Sequence, residues 1–233
     1  FVSVAGSMAN MTSFSGYGTF GYVQFESDTV NRIVDGDGLK GFLCEALPSE
    51  CGARCGNTMS LVTPDLQASV KPTWYLGAWY DAAQDFWNDF SRDGLLNEEG
   101  GEANPDGQIM FQKRQRIGSV APYQWLKAGE ETVFTFYLTW HIPSRRHSWW
   151  QGTKSCCEPR QMTRNYYSLR FENALAVAGY LHKELDRLES LTFAFHSALF
   201  DSTLPQPVLD AVSSNITVLR STTCFRIEDG SFF

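Results

Sequence analysis

The chain has 233 residues, of which 43% are hydrophobic and 19% charged, and its formal net charge is −7. This composition excludes a disordered chain and leaves room for one large domain or two modest ones. The acidic balance argues against a nucleic-acid surface, which needs a basic stripe. No apolar run approaches the ~20 residues of a membrane span, and no signal-peptide pattern opens the chain. We therefore expect a soluble protein, cytoplasmic rather than secreted.

Both ends of the sequence indicate a piece of a longer protein. The chain begins at Phe1 without an initiator Met or a charged leader. It stops on Phe232 and Phe233, two aromatic residues without a polar tail. Neither end resembles a natural terminus. We expect a fragment.

The first part of the chain carries the signals of short strands and turns. Glycines among aromatic residues in 1–30 predict short strands joined by glycine turns. The Asp-Gly-Asp-Gly run at 35–38 predicts a further turn and has too few oxygen ligands for a calcium loop. Prolines and a Cys pair predict that residues 44–66 are loop-like.

A short helix is predicted inside this β-rich region. Apolar residues recur at helical intervals over 81–94, whose final glycine is a C-terminal stop signal. Asp85 and Asp89 share one face of this helix, which we interpret as its solvated side. The polar, Gly/Asn/Pro-rich stretch 95–107 predicts a surface loop, and residues 109–120 resume as strand.

Residues 133–143 have the clearest strand pattern in the chain. β-branched and aromatic residues alternate there with period two, which predicts a strand with one face on a core. Residues 127–131 supply the turn before it, and Pro143 ends the ladder because it lacks an N–H. This strand closes the β-rich part of the chain.

The remainder of the chain is predicted to be helical. Residues 144–164 form a connector without periodicity. A long amphipathic helix is predicted to follow the connector, and a second helix is predicted to begin near Pro205 and Pro207. Two such helices expose apolar faces that need further partners. The first stripe comprises Phe171, Leu175, Ala178, Leu181, Leu185, Leu188, Leu191, Phe195 and Leu199, and the second Val208, Val212, Ile216 and Leu219.

The six cysteines form neither a disulfide framework nor a clean zinc signature. Cys51 and Cys55 have a plausible metal-ligand spacing, and Cys156 and Cys157 complete four thiolates in principle. Neither set has a convincing second ligand pair, so reduced loop cysteines are favoured. We predict no metal and no cofactor.

No complete catalytic constellation is visible in the sequence alone. The nucleophile elbow, the phosphate-binding glycine loop and the zinc-protease motif are missing. Glu228 and Asp229 are adjacent, so they do not face each other as an acid and nucleophile pair, and a capping or loop-stabilising role is favoured. The four histidines are interpreted as surface or cap residues: His141, His147, His182 and His196.

Aromatic residues are abundant, with 7 Trp, 9 Tyr and 17 Phe. Aromatic faces with a polar rim are surfaces against which a sugar ring packs, although core filling must account for most of them. Asn10 and Asn215 each begin a glycosylation sequon. Because Asn215 falls within a predicted helix, we interpret both sequons as chance.

A collinear series of blocks runs from about Phe86 to Phe233 and resembles glycoside hydrolase family 116. That family includes non-lysosomal glucosylceramidases and bacterial β-glucosidases. The blocks are Phe86-Trp-Asn-Asp-Phe-Ser-Arg-Asp-Gly, Leu126-Lys-Ala-Gly-Glu-Glu, Leu138-Thr-Trp-His-Ile-Pro, Asn165-Tyr-Tyr-Ser-Leu-Arg-Phe-Glu-Asn-Ala-Leu-Ala-Val-Ala, Leu185-Asp-Arg-Leu-Glu, Ala198-Leu-Phe-Asp-Ser-Thr-Leu-Pro, Leu209-Asp-Ala-Val-Ser-Ser-Asn and Leu219-Arg-Ser-Thr-Thr-Cys-Phe-Arg-Ile-Glu-Asp-Gly.

The resemblance implies an α+β multidomain fold, an antiparallel β-sandwich followed by the first helices of a truncated (α/α)6 barrel. We place the sandwich, without its start, in 1–147, a linker in 148–164 and the opening of the catalytic domain in 165–233. The family implies a Glu nucleophile and an Asp acid/base, both expected beyond Phe233. No catalytic residue is therefore assigned in this chain.

The function expected from the resemblance is that of a fragment of a retaining β-glycosidase. Its substrates are β-glucosides or glucosylceramide-like glycosides, and Glu228 and Asp229 are candidates for supporting or substrate-side roles. The alternative is a non-enzymatic carbohydrate-binding or interaction module that uses the aromatic sandwich surface. A structural thiol-metal protein is a third hypothesis, which needs zinc on Cys51 and Cys55. The sequence leaves the oligomeric state open.

Overall fold

The computed structural model describes residues 1–17, 23–25, 29–47, 56–75, 81–97, 116–146, 162–220 and 224–232. The helices are α1 Asp81–Asp93, α2 Ala174–Phe200 and α3 Gln206–Asn215, with 3₁₀ turns at Tyr166–Leu169 and Ile216–Arg220. The strands are β1 Val2–Ser3, β2 Gly6–Ala9, β3 Phe14–Tyr17, β4 Val23–Phe25, β5 Thr29–Gly36, β6 Leu39–Ala46, β7 Thr58–Thr63, β8 Ala68–Lys71, β9 Ile117–Gln124, β10 Tyr137–His141, β11 Ser144–Arg146 and β12 Met162–Arg164.

Two antiparallel sheets organise the strands. The central sheet has the order β10-β7-β6-β5. In the second sheet, β1 and β2 pair with β9 in one register, and β8 pairs with the opposite edge of β9. A hairpin of β3 and β4, a ribbon of β11 and β12, and two isolated bridges, Asn165 with Ile227 and Arg226 with Phe232, are the other pairings of the described residues. The expected β-rich domain with antiparallel sheets is thereby confirmed.

The central sheet has a core on each face. On one face Phe42 and Leu61 pack against Val70 and Val120 of the second sheet. On the other face the sheet packs against α2, whose Ala178 is fully buried. Because side chains alternate along a strand, β6 and β7 each supply residues to both cores. The layers are therefore sheet, sheet and helix.

The hairpin of β5 and β6 confirms the predicted turn. Asp37 and Gly38 have φ values of 53° and 76°. Two positive φ values match the two-residue turn that follows the right-handed twist of the strands, and Gly and Asp tolerate them best. The predicted short strands near the amino terminus are also present as β1 to β4, but Gly6 and Gly16 lie inside β2 and β3 and not in turns, and Gly18 and Gly21 are outside the described residues.

The predicted loop over 44–66 is wrong at residues 44–46 and 58–63 and holds at the other described positions. Those residues include the end of β6 and all of β7. β7 was missed because Thr58, Ser60 and Thr63 are buried polar residues, so hydrophobicity does not alternate along it. Residues 48–55 lie outside the described part of the chain.

The strand predicted over 133–143 is shorter than expected, since β10 covers only Tyr137–His141. Its buried face carries Tyr137, Thr139 and His141, whereas Leu138 and Trp140 are 53% and 56% exposed. β10 is an edge strand, and α2 covers its more polar face. The preceding turn is confirmed by a hydrogen bond from Glu130 N to Lys127 O of 3.1 Å.

The predicted inserted helix is confirmed as α1, which ends where Gly94 adopts a φ of 76°. The solvated role of Asp89 is wrong. Its side chain is only 12% exposed, and Asp89 Oδ2 lies 3.6 Å from Nζ of the buried Lys71. The adjoining surface loop is also wrong at Leu96, which is buried, and 98–107 lies outside the described residues.

The strand predicted over 109–120 exists as β9 but lies later, at Ile117–Gln124. Residues 109–115 are outside the described part of the chain. Pro122 is inside β9 and pairs with Ala68. Pro122 lacks the N–H of a ladder residue, so its position predicted that the strand would end at residue 120.

Both helices predicted after the connector are confirmed, as α2 and α3. Pro205 is the N-cap of α3, as the prolines predicted. Phe171 precedes α2, and Ile216 and Leu219 follow α3 in a 3₁₀ turn, so these three residues lie outside the helices to which the sequence assigned them. Beyond residue 190, large apolar side chains lie open to solvent: Leu191, Phe193, Phe195, Leu204, Val208, Val212, Ile216 and Val218.

Candidate functional site

An open groove of about 440 Å³ lies where the first half of α2 crosses the edge strand β10. Its walls come from β10, the 3₁₀ turn, the lead-in to α2 and α2 itself. They are almost entirely aromatic or aliphatic: Leu138, Thr139, Trp140, Tyr167, Phe171, Val177, Tyr180, Leu181 and Leu188. None of these residues is a carboxylate, and the apolar walls suit the groove to apolar contact.

Hydrogen bonds and ring contacts fix the walls of the groove. Tyr167 Oη donates to Ile142 O at 2.8 Å and accepts from Ile142 N at 2.7 Å. The Phe171 ring meets the Tyr180 ring edge-on, with centroids 5.4 Å apart. These contacts therefore hold the walls of the groove in place where the sheet meets α2.

A row of hydroxyl groups attaches the start of α2 to the central sheet. Ala174 N donates to Thr58 Oγ1 at 2.8 Å, and Thr139 Oγ1 donates to Ala174 O at 2.8 Å. The Ser60 and Thr139 hydroxyls lie 2.6 Å apart. Asn173 caps the helix by accepting from Ala176 N at 2.9 Å. Sequence reasoning missed this row because its members come from strands paired at long range.

His141 is not the surface or cap residue that the sequence predicted. Its residue surface is 2% exposed, and its ring meets the Tyr167 ring edge-on at 5.8 Å between centroids. Burial lowers the pKa of His141, because the charged ring loses its hydration. Burial therefore favours the neutral ring.

The other histidines differ from His141. His182 is half-buried, with Nδ1 3.4 Å from Tyr137 Oη. Burial, with the nearby Asp65 carboxylate, raises the pKa of Tyr137. His196 is exposed, which confirms the prediction for that residue, and His147 lies outside the described residues.

Glu228 and Asp229 lie in an exposed turn next to β12 and do not line the groove. Glu228 N donates to Arg164 O at 3.1 Å, which ties the turn to the strand. Asp229 Oδ1 accepts from Ser231 N at 2.8 Å, and this hydrogen bond lowers the pKa of Asp229. The contact stabilises the loop. A substrate-side role for either carboxylate stays a prediction.

Two cation–π contacts attach this carboxyl-terminal segment to the junction. The Arg145 guanidinium lies 3.7 Å from the centroid of the Phe225 ring, and that of Arg226 lies 3.9 Å from the centroid of the Tyr166 ring. Tyr166 N also donates to Arg226 O at 3.0 Å. The segment therefore closes one end of the small β11–β12 ribbon.

Cysteine chemistry finds little support in the part of the chain that the structure describes. Cys44 is buried in the core between the sheets, and burial raises the pKa of its thiol, so it is not reactive there. The described residues contain no group of three or more His, Cys, Asp or Glu side chains placed to hold a metal ion. The cysteines at 51, 55, 156 and 157 lie outside those residues.

Asn10 is fully buried, which makes its sequon inaccessible in the folded chain. Its Nδ2 donates to Asn31 Oδ1 at 2.8 Å, and its Oδ1 accepts from Thr12 Oγ1 at 2.6 Å. Asn215 is the last residue of α3, where Nδ2 donates to Ala211 O at 2.7 Å. Sequence reasoning did not identify Asn10 as an internal hydrogen-bond hub.

Some aromatic residues are free of the cores. Trp125 is 76% exposed and contacts the Phe1 ring at 5.1 Å between centroids, while Trp74 stacks on Phe86 at 4.5 Å.

Along the described residues, no helix combines the length and apolar character that crossing a membrane requires.

Residues 1–188 match the family model described as beta-glucosidase 2, glycosyl-hydrolase family 116 N-term. The matched range contains every strand of the described residues and the first half of α2, and it ends at Leu188, the last residue of the groove. No individual curated protein matches the chain.

Proposed function

Because the chain belongs to glycoside hydrolase family 116, we propose that it is part of a retaining β-glycosidase that acts on β-glucosides or glucosylceramide-like glycosides. The observation that carries this proposal is the family match, which covers residues 1–188 of 233. The layered antiparallel sheets are consistent with the amino-terminal domain that the match describes.

We further propose that this chain lacks the catalytic carboxylate pair. A retaining glycosidase needs two carboxyl groups facing each other about 5 Å apart across the scissile bond. Glu228 and Asp229 are adjacent in an exposed turn, and Asp229 is engaged with Ser231 N. Supporting roles near the substrate are the roles proposed for them, with nucleophile and acid/base supplied from beyond Phe233.

The domain division proposed from the sequence stays at 1–147, 148–164 and 165–233. Exposed apolar residues on the second half of α2 and on α3 support the proposal that these helices open an (α/α)6 barrel, because such a stripe ordinarily faces a partner. The first half of α2 packs on the sheet instead. This helix is thus shared between the two proposed domains.

Hydrolysis of an aryl β-glucoside by the purified chain tests the proposal about the catalytic pair. We expect release of the aryl group at the rate of a buffer blank, for the chain and for Glu228→Gln and Asp229→Asn alike. Turnover by the chain that Glu228→Gln abolishes would place a catalytic residue in this chain and overturn the assignment.

A carbohydrate-binding module is the second candidate function, and the exposed Trp125 beside Phe1 is the observation that favours it. An aromatic ring open to solvent offers a face for the apolar side of a sugar ring. Titration with β-linked gluco-oligosaccharides tests it. Binding that Trp125→Ala abolishes and that Trp87→Ala, a matched change at an exposed Trp on α1, leaves intact would favour this function over the first.

A further inference from the structure

His141, the last residue of β10, is enclosed by the elements that attach α2 to the sheet. Its surface is 2% exposed, and the Tyr167 ring lies edge-on against it. Backbone groups of Gly56, Ser168 and Phe171 also adjoin the imidazole ring. The ring therefore sits between the chain leading into β7, the 3₁₀ turn and the lead-in to α2.

Neither ring nitrogen of His141 makes a hydrogen bond of good geometry among the described residues, although backbone groups of Gly56, Ser168 and Phe171 lie close enough to interact with the ring. A neutral imidazole has one donor and one acceptor to satisfy, whereas an imidazolium carries a full charge and two donors. Burying an unpaired charge costs far more than burying an unpaired neutral group. The enclosure therefore discriminates against the protonated ring.

The positive charge nearest His141 acts in the same direction. The positive charge of Arg164 on β12 disfavours protonation of the His141 ring. Arg145 of β11, another cation of this region, adjoins Tyr167 and lies over the Phe225 ring. The adjoining backbone groups favour the charged ring, but burial is the largest influence on the pKa of His141 and lowers it.

We propose that His141 is an acid-sensitive latch, whose protonation releases the 3₁₀ turn and the start of α2 from β10. Once released, the ring regains an ordinary pKa near 6.5. Below that pH the released state takes up a proton that the closed state excludes, so the closed state loses stability as the pH falls. Above it both states are neutral and the closed state keeps its full stability.

Amide hydrogen exchange measured between about pH 7.5 and pH 5, spanning the ordinary histidine pKa, tests this latch. The reporters are the amides of Ile142, Ser168 and Ala174, which donate to Tyr167 Oη, Asn165 O and Thr58 Oγ1. After correction for the intrinsic pH dependence of exchange, we expect their protection factors to fall severalfold toward pH 5. Amides of the β5–β6 pair should keep theirs.

Two variants remove the titrating ring in different ways, His141→Phe and His141→Gln, so that one remains informative if the other does not fold. Either should abolish the acid-dependent loss of protection. His182→Gln, which removes the half-buried histidine on α2, should retain it. The proposal is overturned if the wild-type reporters do not lose protection, if both His141 variants keep the loss, or if His182→Gln abolishes it.

Discussion

At the scale of single residues, Lys71 is a charged side chain that is buried among the described residues. Its residue surface is 3% exposed, and Nζ donates to Asn97 Oδ1 at 2.7 Å and lies 3.6 Å from Asp89 Oδ2. Asp85 Oδ2 is 3.9 Å away and more open to solvent. This cluster joins β8 to α1, and its partial burial reduces solvent screening of the Lys71–Asp89 pair.

We predict that burial, and not distance, decides the strength of the ion pairs. The Arg32–Glu45 pair is shorter, at 2.6 Å, but its side chains are 64% and 33% exposed. A double-mutant cycle with Lys71→Met and Asp89→Asn should give a coupling of about 2 kcal/mol in urea unfolding. The matched cycle with Arg32→Met and Glu45→Gln should give less than about 1 kcal/mol. Equal or reversed couplings would refute the prediction.

At the scale of elements, close pairing of β6 with β7 depends on Gly41. This glycine has a φ of 154°, and a Cβ built on it would overlap Leu61 O and approach Val62 Cα to 2.7 Å. Both atoms belong to the backbone of the neighbouring strand and cannot turn aside. Gly36, near the end of β5, has open space around its own Cβ position.

Gly41→Ala should therefore destabilise the chain by at least about 2 kcal/mol, because the central sheet must open to admit a methyl group. Gly36→Ala should change the free energy of unfolding by less than about 1 kcal/mol. Chemical denaturation of the two variants and the wild type measures both. A Gly41→Ala variant as stable as Gly36→Ala would mean that β6 and β7 are not paired as described.

The elements also show which part of the fold can be predicted from sequence. Turn and cap signals act locally, so Asp37-Gly38, Gly94 and Pro205 were identified correctly. The attachment of α2 was not, because Thr58 Oγ1 and Ala174 N meet across 116 positions of sequence. Register between distant strands decides which hydroxyls become buried, and periodicity within one segment carries no information about register.

At the scale of the whole molecule, α2 changes its surroundings along its length. Ala174 and Ala178 are fully buried, and Leu181 and Leu185 pack against the central-sheet core. Farther along, Leu191, Phe193 and Phe195 are 56%, 63% and 54% exposed. The sequence predicted an apolar stripe along the whole helix but could not show where its partner ends, because stripe periodicity is the same in packed and unpacked turns.

Functional residues were predictable only in part for a related reason. The family resemblance identified a glycoside hydrolase, as the match to residues 1–188 shows. His141 and the groove were missed because burial and enclosure arise from packing between distant segments. Glu228 and Asp229 carried a local turn signal, and a turn is where the structure places them.

Hydrogen–deuterium exchange along α2 tests the central claim most directly, namely that the first half of α2 packs on the central sheet and its second half is exposed. Amides of residues 178–188 should be protected at least about tenfold more strongly than those of 191–199, because only the first group lies under packed side chains. A step in protection near residue 188 is the predicted result. Uniform protection to the end of α2 would contradict the account, because it would show that the second half is already packed within this chain.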